Sequence, residues 1–582
     1  LTKIMQVAGS KNGNFGAAVK EDGTVWTWGA NTNGQLGNGT TDSPKLNAIQ
    51  VGSSGSNAMR ITHGSVINQD TGIQRVEFNN ELITNVLIAE NEEFHIFEDG
   101  ISLNQSFSLL PDSQEVKAGS VEYISFNPNI ATVGKYTGII TPVKGIYGTA
   151  IIIAKSDGYS SIIRVSIKPQ DTDDVKSVAK PMVATGASHT IALKYDGTVW
   201  TWGNNTNGQL GNNSTENSSS PVQVKSADGN AFLTNIIEIS AGSEHNMALR
   251  NDGTVWTWGL NTYGQLGNGS SVSSILPVQV KSADGNSFLT DIVQISAGYV
   301  HSMALKKDGT VLAWGRNDGG QLGNNNTSNK SLPVQVKGGA SGSEYLTDVV
   351  QVTAGNWHSM ALKANGTVYA WGWGQYGQLG NGYTTNSYDS DQYSYEKIYS
   401  APVQVLNGAQ TSETGYLKEV VQIDAMGGTG HDDRNRFGTS LAVTESKEVY
   451  GWGNSWYGAL GRNSSIVSTP VKVATGISTA VQVAGGGKSG SEDWHVYSIG
   501  NTGYTYILKE DGTVSSLGYN VNGELGNGAQ TSTTAVQEVS NLTEIMQVAG
   551  SKNGNFGAAV KKDGTIWTWG QNTYGQLGNG TT

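Results

Sequence analysis

One unit of sequence recurs eight times in this 582-residue chain, and nothing else in it restricts the possible folds so strongly. It reads EDGTVWTWG at 21–29, YDGTVWTWG at 195–203, NDGTVWTWG at 251–259 and KDGTVLAWG at 307–315. It continues as ANGTVYAWG at 364–372, a degraded SKEVYGWG at 446–453, EDGTVSSLG at 510–518 and KDGTIWTWG at 562–570.

Each unit predicts four short strands. VQISAG at 293–298 alternates apolar and polar residues, and HSMALKKDG follows as a second strand. Asp-Gly then predicts a two-residue type I′ turn, because glycine tolerates the positive φ that such a turn requires. TVLAWG is a third strand and GQLGNN opens a loop. PVQV at 333–336 is the fourth, with proline at its first residue, where a missing N–H does least harm. Four strands in a period of roughly 50–60 residues is the arithmetic of a β-propeller blade. Only 14% of residues are charged, against 78 Gly and 15 Trp, a mix that suits many short strands joined by Gly/Asn turns.

The frame AG..HS.AL..DG.V..WG.N..GQLG.G....P..V resembles the regulator of chromosome condensation repeat family. That resemblance implies an all-β fold, a seven-bladed β-propeller of four-stranded blades. It implies little about function, since one fold hosts many activities. Between Gly52 and about Val178 the motif vanishes. There FNPNIATVGKYTGIITPVKGIYGTAIIIAKSDG at 126–158, followed by SIIRVSIKP at 161–169, resembles the bacterial immunoglobulin-like group 2 domain. The resemblance implies a small β-sandwich and a surface-exposed or secreted bacterial protein. The expected organisation is a blade unit at 1–52, a sandwich at 76–168, an exposed linker at 169–181 and propeller repeats over 178–582. Leaving the propeller after a fourth strand, the sandwich is expected on the Asp-Gly-turn face as an autonomous spacer.

Composition removes several functions. Cysteine is absent, so disulfides, thiolate metal sites and a thiol nucleophile are excluded. A net charge of −12 without a basic run argues against nucleic acid as a partner. No apolar stretch reaches the length of a membrane span, so no membrane insertion is expected. GWGQYG at 372–377 fits a dinucleotide fingerprint, but it lies inside the repeat frame with no helix after it. His189, His245, His301 and His358 recur at the blade period, whereas a catalytic histidine is needed once. They are read as structural, as are the WG tryptophans such as Trp202 and Trp258, which fill space between blades. His431, Asp432 and Asp433, and Asp389 with Asp391, fall short of the ligand count of a calcium loop. No metal, no cofactor and no catalytic residue is expected; the chain reads as a non-enzyme.

Strand parity places the loops after strands one and three on one face and the Asp-Gly turns on the other. The irregular insertions concentrate on the first face: GYTTNSYDSDQYSYEKIYS in unit five, GGTGHDDRNRFG in unit six and GGGKSGSEDWHVYSIGNTG in unit seven. Aromatic residues supply large contact area at low entropy cost. The partner-binding candidates are therefore Tyr383, Tyr388, Tyr393, Tyr395, Tyr399, Trp456, Tyr457, Trp494 and Tyr497. The leading reading is a non-enzymatic bacterial surface or secreted scaffold or adhesion protein. The alternative is a secreted propeller that binds or inhibits a protein partner through its loop-rich face.

Leu1–Thr41 and Leu542–Thr582 differ only at Lys3/Glu544, Glu21/Lys562, Val25/Ile566, Ala30/Gln571 and Asn33/Tyr574. Two groupings therefore give seven blades: units two to eight, or unit one with units two to seven. The eighth unit lacks a fourth strand, and the matching strand stands only after the first copy, as DSPKLNAIQV at 42–51. The expectation is a ring of units two to eight, with residues 1–52 belonging to an adjoining ring. That ring is joined either covalently or by head-to-tail exchange between copies of the chain, which would build a filament.

Overall fold

The computed structural model describes residues 122–582 apart from 129, 137, 144–147, 157–158, 169–178, 180, 195, 340–343, 385–397, 411–414, 428–436, 463–465, 474–476 and 488–502. Upstream of residue 122 it describes the course of the strands alone. Seven consecutive sheets form a ring, and units two to eight make them. Their first strands are Met182–Thr185, Ile236–Ala241, Ile292–Ala297, Val349–Ala354, Val420–Gly427, Ala480–Gly486 and Ile545–Gly550, which begin blades 1 to 7. These strands touch one another all the way round, including blade 7 against blade 1. Blades 1 to 6 are antiparallel meanders of four strands; blade 7 has three, Ile545–Gly550, Phe556–Lys561 and Ile566–Gly570. Unit one forms a separate four-stranded sheet from Ile4–Gly9, Phe15–Lys20, Val25–Gly29 and Lys45–Gln50.

Two local details differ from expectation. The Asp-Gly turn is a three-residue loop: Arg250 N–H donates to Thr254 O, and Gly253 N–H to Arg250 O, both at 2.9 Å. Of Asn251, Asp252 and Gly253, only Gly253 takes a positive φ, +79°, so this is a type I turn closed by a glycine bulge. Asp252 holds it by accepting the N–H and the hydroxyl of Thr254 at 3.0 and 2.6 Å, which explains why the motif reads D-G-T. The proline lies inside the fourth strand, not at its start. Pro277 is the fourth residue of Ser274–Gln279, and Pro333 the fourth of Lys330–Gln335. These strands are the outer edges of their sheets, where no further strand needs an N–H from the proline.

The core lies between blades. Ile191, Leu193 and Val199 of blade 1 pack with Ile236, Ile239, Ala248 and Trp258 of blade 2. The same interleaving recurs between blades 2 and 3, around Trp314. Burying each such indole is worth roughly 4–6 kcal/mol of transfer free energy before entropy is charged against it.

After a short hairpin of Arg60–Thr62 with Ser65–Ile67, the insertion contains two larger sheets. One orders Asn85–Ala89, Tyr159–Lys168, Gly148–Ser156 and Glu122–Ser125; the other orders Ala131–Val133, Ile139–Pro142 and Phe94–His95. It rests against the turn face of the ring. Ile162 N–H donates to Ala364 O at 3.1 Å, Lys155 pairs with Glu445, and the Lys447 ammonium lies 5.5 Å from the Phe126 ring centroid. Phe126, Ile151, Ile153 and Ile162 share one apolar cluster with Val350, Leu362, Val421 and Val443 of blades 4 and 5.

Candidate functional site

The recurring histidines and tryptophans are joints between blades. Trp258 Nε1 donates to Gln209 O at 3.1 Å, Trp314 to Gln265 O at 2.9 Å, Trp371 to Gln321 O at 2.9 Å and Trp452 to Gln378 O at 3.0 Å. Each indole thus bonds the GQLG carbonyl of the blade before it. Trp202 closes the ring in the same way, donating to Gln576 O of blade 7 at 2.8 Å. The GQLG glycine that follows must come close: a Cβ on Gly578 would meet Trp202 Nε1 at 2.6 Å, at φ +69°.

Each histidine reaches forward instead. Nε2 of His245, His301 and His358 bonds Ser302, Ser359 and Ser440 Oγ of the next blade at 3.1, 2.9 and 2.9 Å. Ser302 Oγ donates onward to Gln265 O at 2.8 Å, so its hydroxyl accepts and the imidazole donates. His189 Nε2 donates to Asn246 Oδ1 at 3.0 Å. Burial pushes the imidazoles of His245, His301 and His358 down to about 3 and that of His189 to about 4, so all four are neutral. The glycine of the AG..H motif makes room for the ring, since a Cβ on Gly242 would lie 2.2 Å from His245 Cε1.

The face carrying the first-to-second and third-to-fourth loops holds the remaining unusual chemistry. Arg316, just after the WG of blade 3, bonds Asp318 in a fork, Nε to Oδ1 at 2.8 Å and Nη2 to Oδ2 at 2.7 Å. Its guanidinium carbon lies 4.7 Å from the Tyr263 ring of blade 2 and 4.4 Å from the Trp357 ring of blade 4. Tyr299 of blade 3 adds a tilted ring contact to Trp357, with centroids 6.0 Å apart. Three blades are thereby clamped at one point. The sequence reading missed this arginine; its signal is a charged residue in WGRN where other units read WGNN or WGLN.

Further round the same face, Tyr376 stacks on Phe437 with centroids 4.1 Å apart, and Tyr457 meets Tyr519 edge to face at 5.1 Å. At the axis, Lys552 of blade 7 reaches blade 5, donating to Ala425 O at 2.7 Å and Asp424 Oδ1 at 3.2 Å. Thr353 of blade 4 joins the same carboxylate at 3.3 Å.

Of the candidates, Tyr457 is 44% exposed, while Tyr383 and Tyr399 are half-buried. Tyr399 packs against the core, its ring 3.1 Å from where a Cβ on Gly374 would stand. Trp456 opens the short 3-10 turn Trp456–Gly458. Tyr388, Tyr393, Tyr395, Trp494 and Tyr497 lie outside the described residues, as do Asp389, Asp391, His431, Asp432 and Asp433. Among the described residues, no group of three His, Cys, Asp or Glu is placed to hold a metal ion, and no helix is long and apolar enough to cross a membrane.

Comparison with known proteins gives a consistent family. A model of the RCC1-like domain matches residues 155–429 and 234–582, and one of the regulator of chromosome condensation (RCC1) repeat matches 22–62. The chain is 29% identical over 402 residues to the ultraviolet-B receptor UVR8 of Arabidopsis thaliana, covering 69% of this chain and 78% of that one. It is 30% identical over 304 residues to the human E3 ubiquitin-protein ligase HERC2, covering 52% of this chain but 5% of the ligase. Among solved structures, yeast RCC1 (Prp20) bound to Kap60 is similar at 20% identity and a TM-score of 0.49, covering 70% of this chain and 84% of that one.

Proposed function

The chain belongs to the family of RCC1-like domains, and we propose that it is a non-enzymatic scaffold that binds protein partners through the loop face of its propeller. The observation that carries this reading is the Arg316 clamp. Arg316 and Trp357 are buried, and with Tyr263 they fix the loops of three neighbouring blades as one surface. A rigid surface with aromatic anchors loses little entropy on binding a protein. Enzymatic activity is not part of the proposal: the aligned stretch of HERC2 is 5% of that ligase, and the recurring histidines are spent on blade joints.

The insertion is proposed to be an immunoglobulin-like spacer, supported by its two sheets and by the wording of 126–158. A secreted or cell-surface location in a bacterium is proposed on that wording alone. The partners proposed are a protein or cell-surface ligand, or copies of the chain itself; the net charge of −12 disfavours nucleic acid.

Site-specific photo-crosslinking tests the face. One chain carries the crosslinker at Tyr457 on the loop face, another at Phe288, which is 53% exposed on the turn face. Protein adducts are expected from position 457, reduced at least tenfold by Arg316→Ala with the circular dichroism unchanged. Adducts from position 288 alone would reverse the assignment of the face.

A further inference from the structure

Four aromatic rings stand outside the packing that closes the propeller. Phe232, Phe288, Tyr345 and Tyr416 are between 46% and 53% exposed, and they occupy one place in blades 1 to 4. Each belongs to a short hairpin that links the fourth strand of its blade to the first strand of the next, on the turn face. The cross-strand pairs are Lys225↔Phe232, Lys281↔Phe288, Lys337↔Tyr345 and Leu406↔Tyr416. The next residue, Leu233, Leu289, Leu346 or Leu417, is buried and anchors the hairpin. Its N–H donates to Val224, Val280, Val336 or Val405 O at 3.0, 3.0, 3.1 and 3.0 Å respectively. With the leucine turned inward, the ring before it turns outward.

The fold does not require these rings. Blades 5 and 6 pass to their neighbours through 473–479 and 539–544, which contain no aromatic residue. The four rings therefore form one arc along consecutive blades, with two ends.

The surroundings of the arc say what it fits. Each connection, 225–234, 281–290, 337–347 and 406–418, carries one lysine and one carboxylate. The arc is thus neutral, in a chain of net charge −12. Asp228, Asn230 and Thr234 are exposed in the connection that holds Phe232, and Asp284, Asn286 and Thr290 in that of Phe288. Single rings parted by polar side chains do not make the contiguous apolar patch that a protein or lipid surface covers. The face of an aromatic ring is the negative part of its quadrupole and attracts the C–H face of a sugar. Carboxylates, amides and hydroxyls beside it bond sugar hydroxyls. A ligand that meets all four rings must repeat along its length.

We propose that the turn face of blades 1 to 4 binds an uncharged polysaccharide, with sugars stacked on Phe232, Phe288, Tyr345 and Tyr416. This goes beyond the loop-face reading, because it gives the opposite face a ligand of its own. Two of the rings are already held in place: the ammonium groups of Lys225 and Lys337 lie 5.1 and 4.3 Å from the centroids of Phe232 and Tyr345. A ring fixed before binding loses little entropy when the sugar arrives.

Co-sedimentation of the full-length chain with insoluble cellulose and with chitin tests the arc, with heparin–agarose as the charged control. Binding to cellulose or chitin is expected, and none to heparin–agarose. Phe288→Ala should weaken it about threefold, and alanine at all four rings at least about thirtyfold, since linked contacts multiply. The melting temperature should not move, because the leucines anchor the hairpins. If the fourfold variant does not fold, Phe232→Ser with Phe288→Ser is expected to weaken binding roughly tenfold. Tyr457→Ser, on the loop face, should leave it unchanged. No binding to either uncharged glycan, tighter binding to heparin–agarose, or full binding by the folded ring variants overturns the proposal. Loss on Tyr457→Ser with the ring variants unaffected overturns it too, by moving the glycan to the loop face. Protein adducts at position 457 are read separately, so the loop-face reading stands or falls without this one.

Discussion

Four imidazoles in the blade joints donate through Nε2, while their Nδ1 atoms accept no hydrogen bond. Charging any of them in place would strand a cation in a fully buried site. Their folded values of about 3 to 4 lie below the unfolded value of 6.5, so the unfolded chain binds more protons between those limits. Stability from this source is complete above pH 6.5 and is lost as pH falls towards the folded values. Denaturation midpoints at pH 7, 6 and 5 should fall steadily, each histidine contributing up to roughly 1.4 kcal/mol per pH unit, with His358→Gln reducing the slope. A midpoint independent of pH over that range would mean that the imidazoles are reached by solvent. Recurrence made the structural role of these histidines legible, because a residue that returns at one place in four consecutive blades answers to the blade. Arg316 was not legible in that way. Its partners, Tyr263 and Trp357, lie 53 residues before and 41 after it, and only the packing of three consecutive blades brings them together.

Among the elements, the third-to-fourth loop is held by one buried asparagine. Asn261 Oδ1 accepts Leu266 N–H at 2.9 Å, and its Nδ2 donates to Ser270 O and Val272 O, each at 3.0 Å. Blades 1, 3 and 6 repeat the arrangement with Asn205, Asn317 and Asn520. Asn261→Ala should cost about 2–3 kcal/mol, since several buried backbone groups lose their partner together. Hydrogen exchange should rise across 262–273, and partner binding should weaken, because Tyr263 stands in that loop against Arg316. Unchanged exchange would show that the loop is held by other contacts. The meander and its four strands were readable from alternation and turn residues. The turn type was not, because the sequence shows Asp-Gly without showing that Asp binds Thr two residues on. The place of proline was missed for a related reason: which strand is an edge depends on the whole sheet.

For the whole molecule, the question is which units close the ring. The two outer copies are so alike that composition and pattern fit either grouping, and only contacts separate them. In the structure blade 7 fills the place: Trp569 Nε1 donates to Glu524 O of blade 6 at 2.8 Å, and Gln576 O accepts from Trp202 of blade 1. The loop face proposed for partner binding is continuous only in a ring so closed. The decisive measurement is the unfolding midpoint of three full-length variants, Trp569→Phe, Trp28→Phe and Trp314→Phe, the last as the reference for a joint inside the ring. Trp569→Phe and Trp314→Phe should each lower the main transition by about 1–3 kcal/mol, through lost indole volume and one lost hydrogen bond, while Trp28→Phe leaves it in place. A transition lowered by Trp28→Phe and untouched by Trp569→Phe would put unit one in the ring and contradict this account.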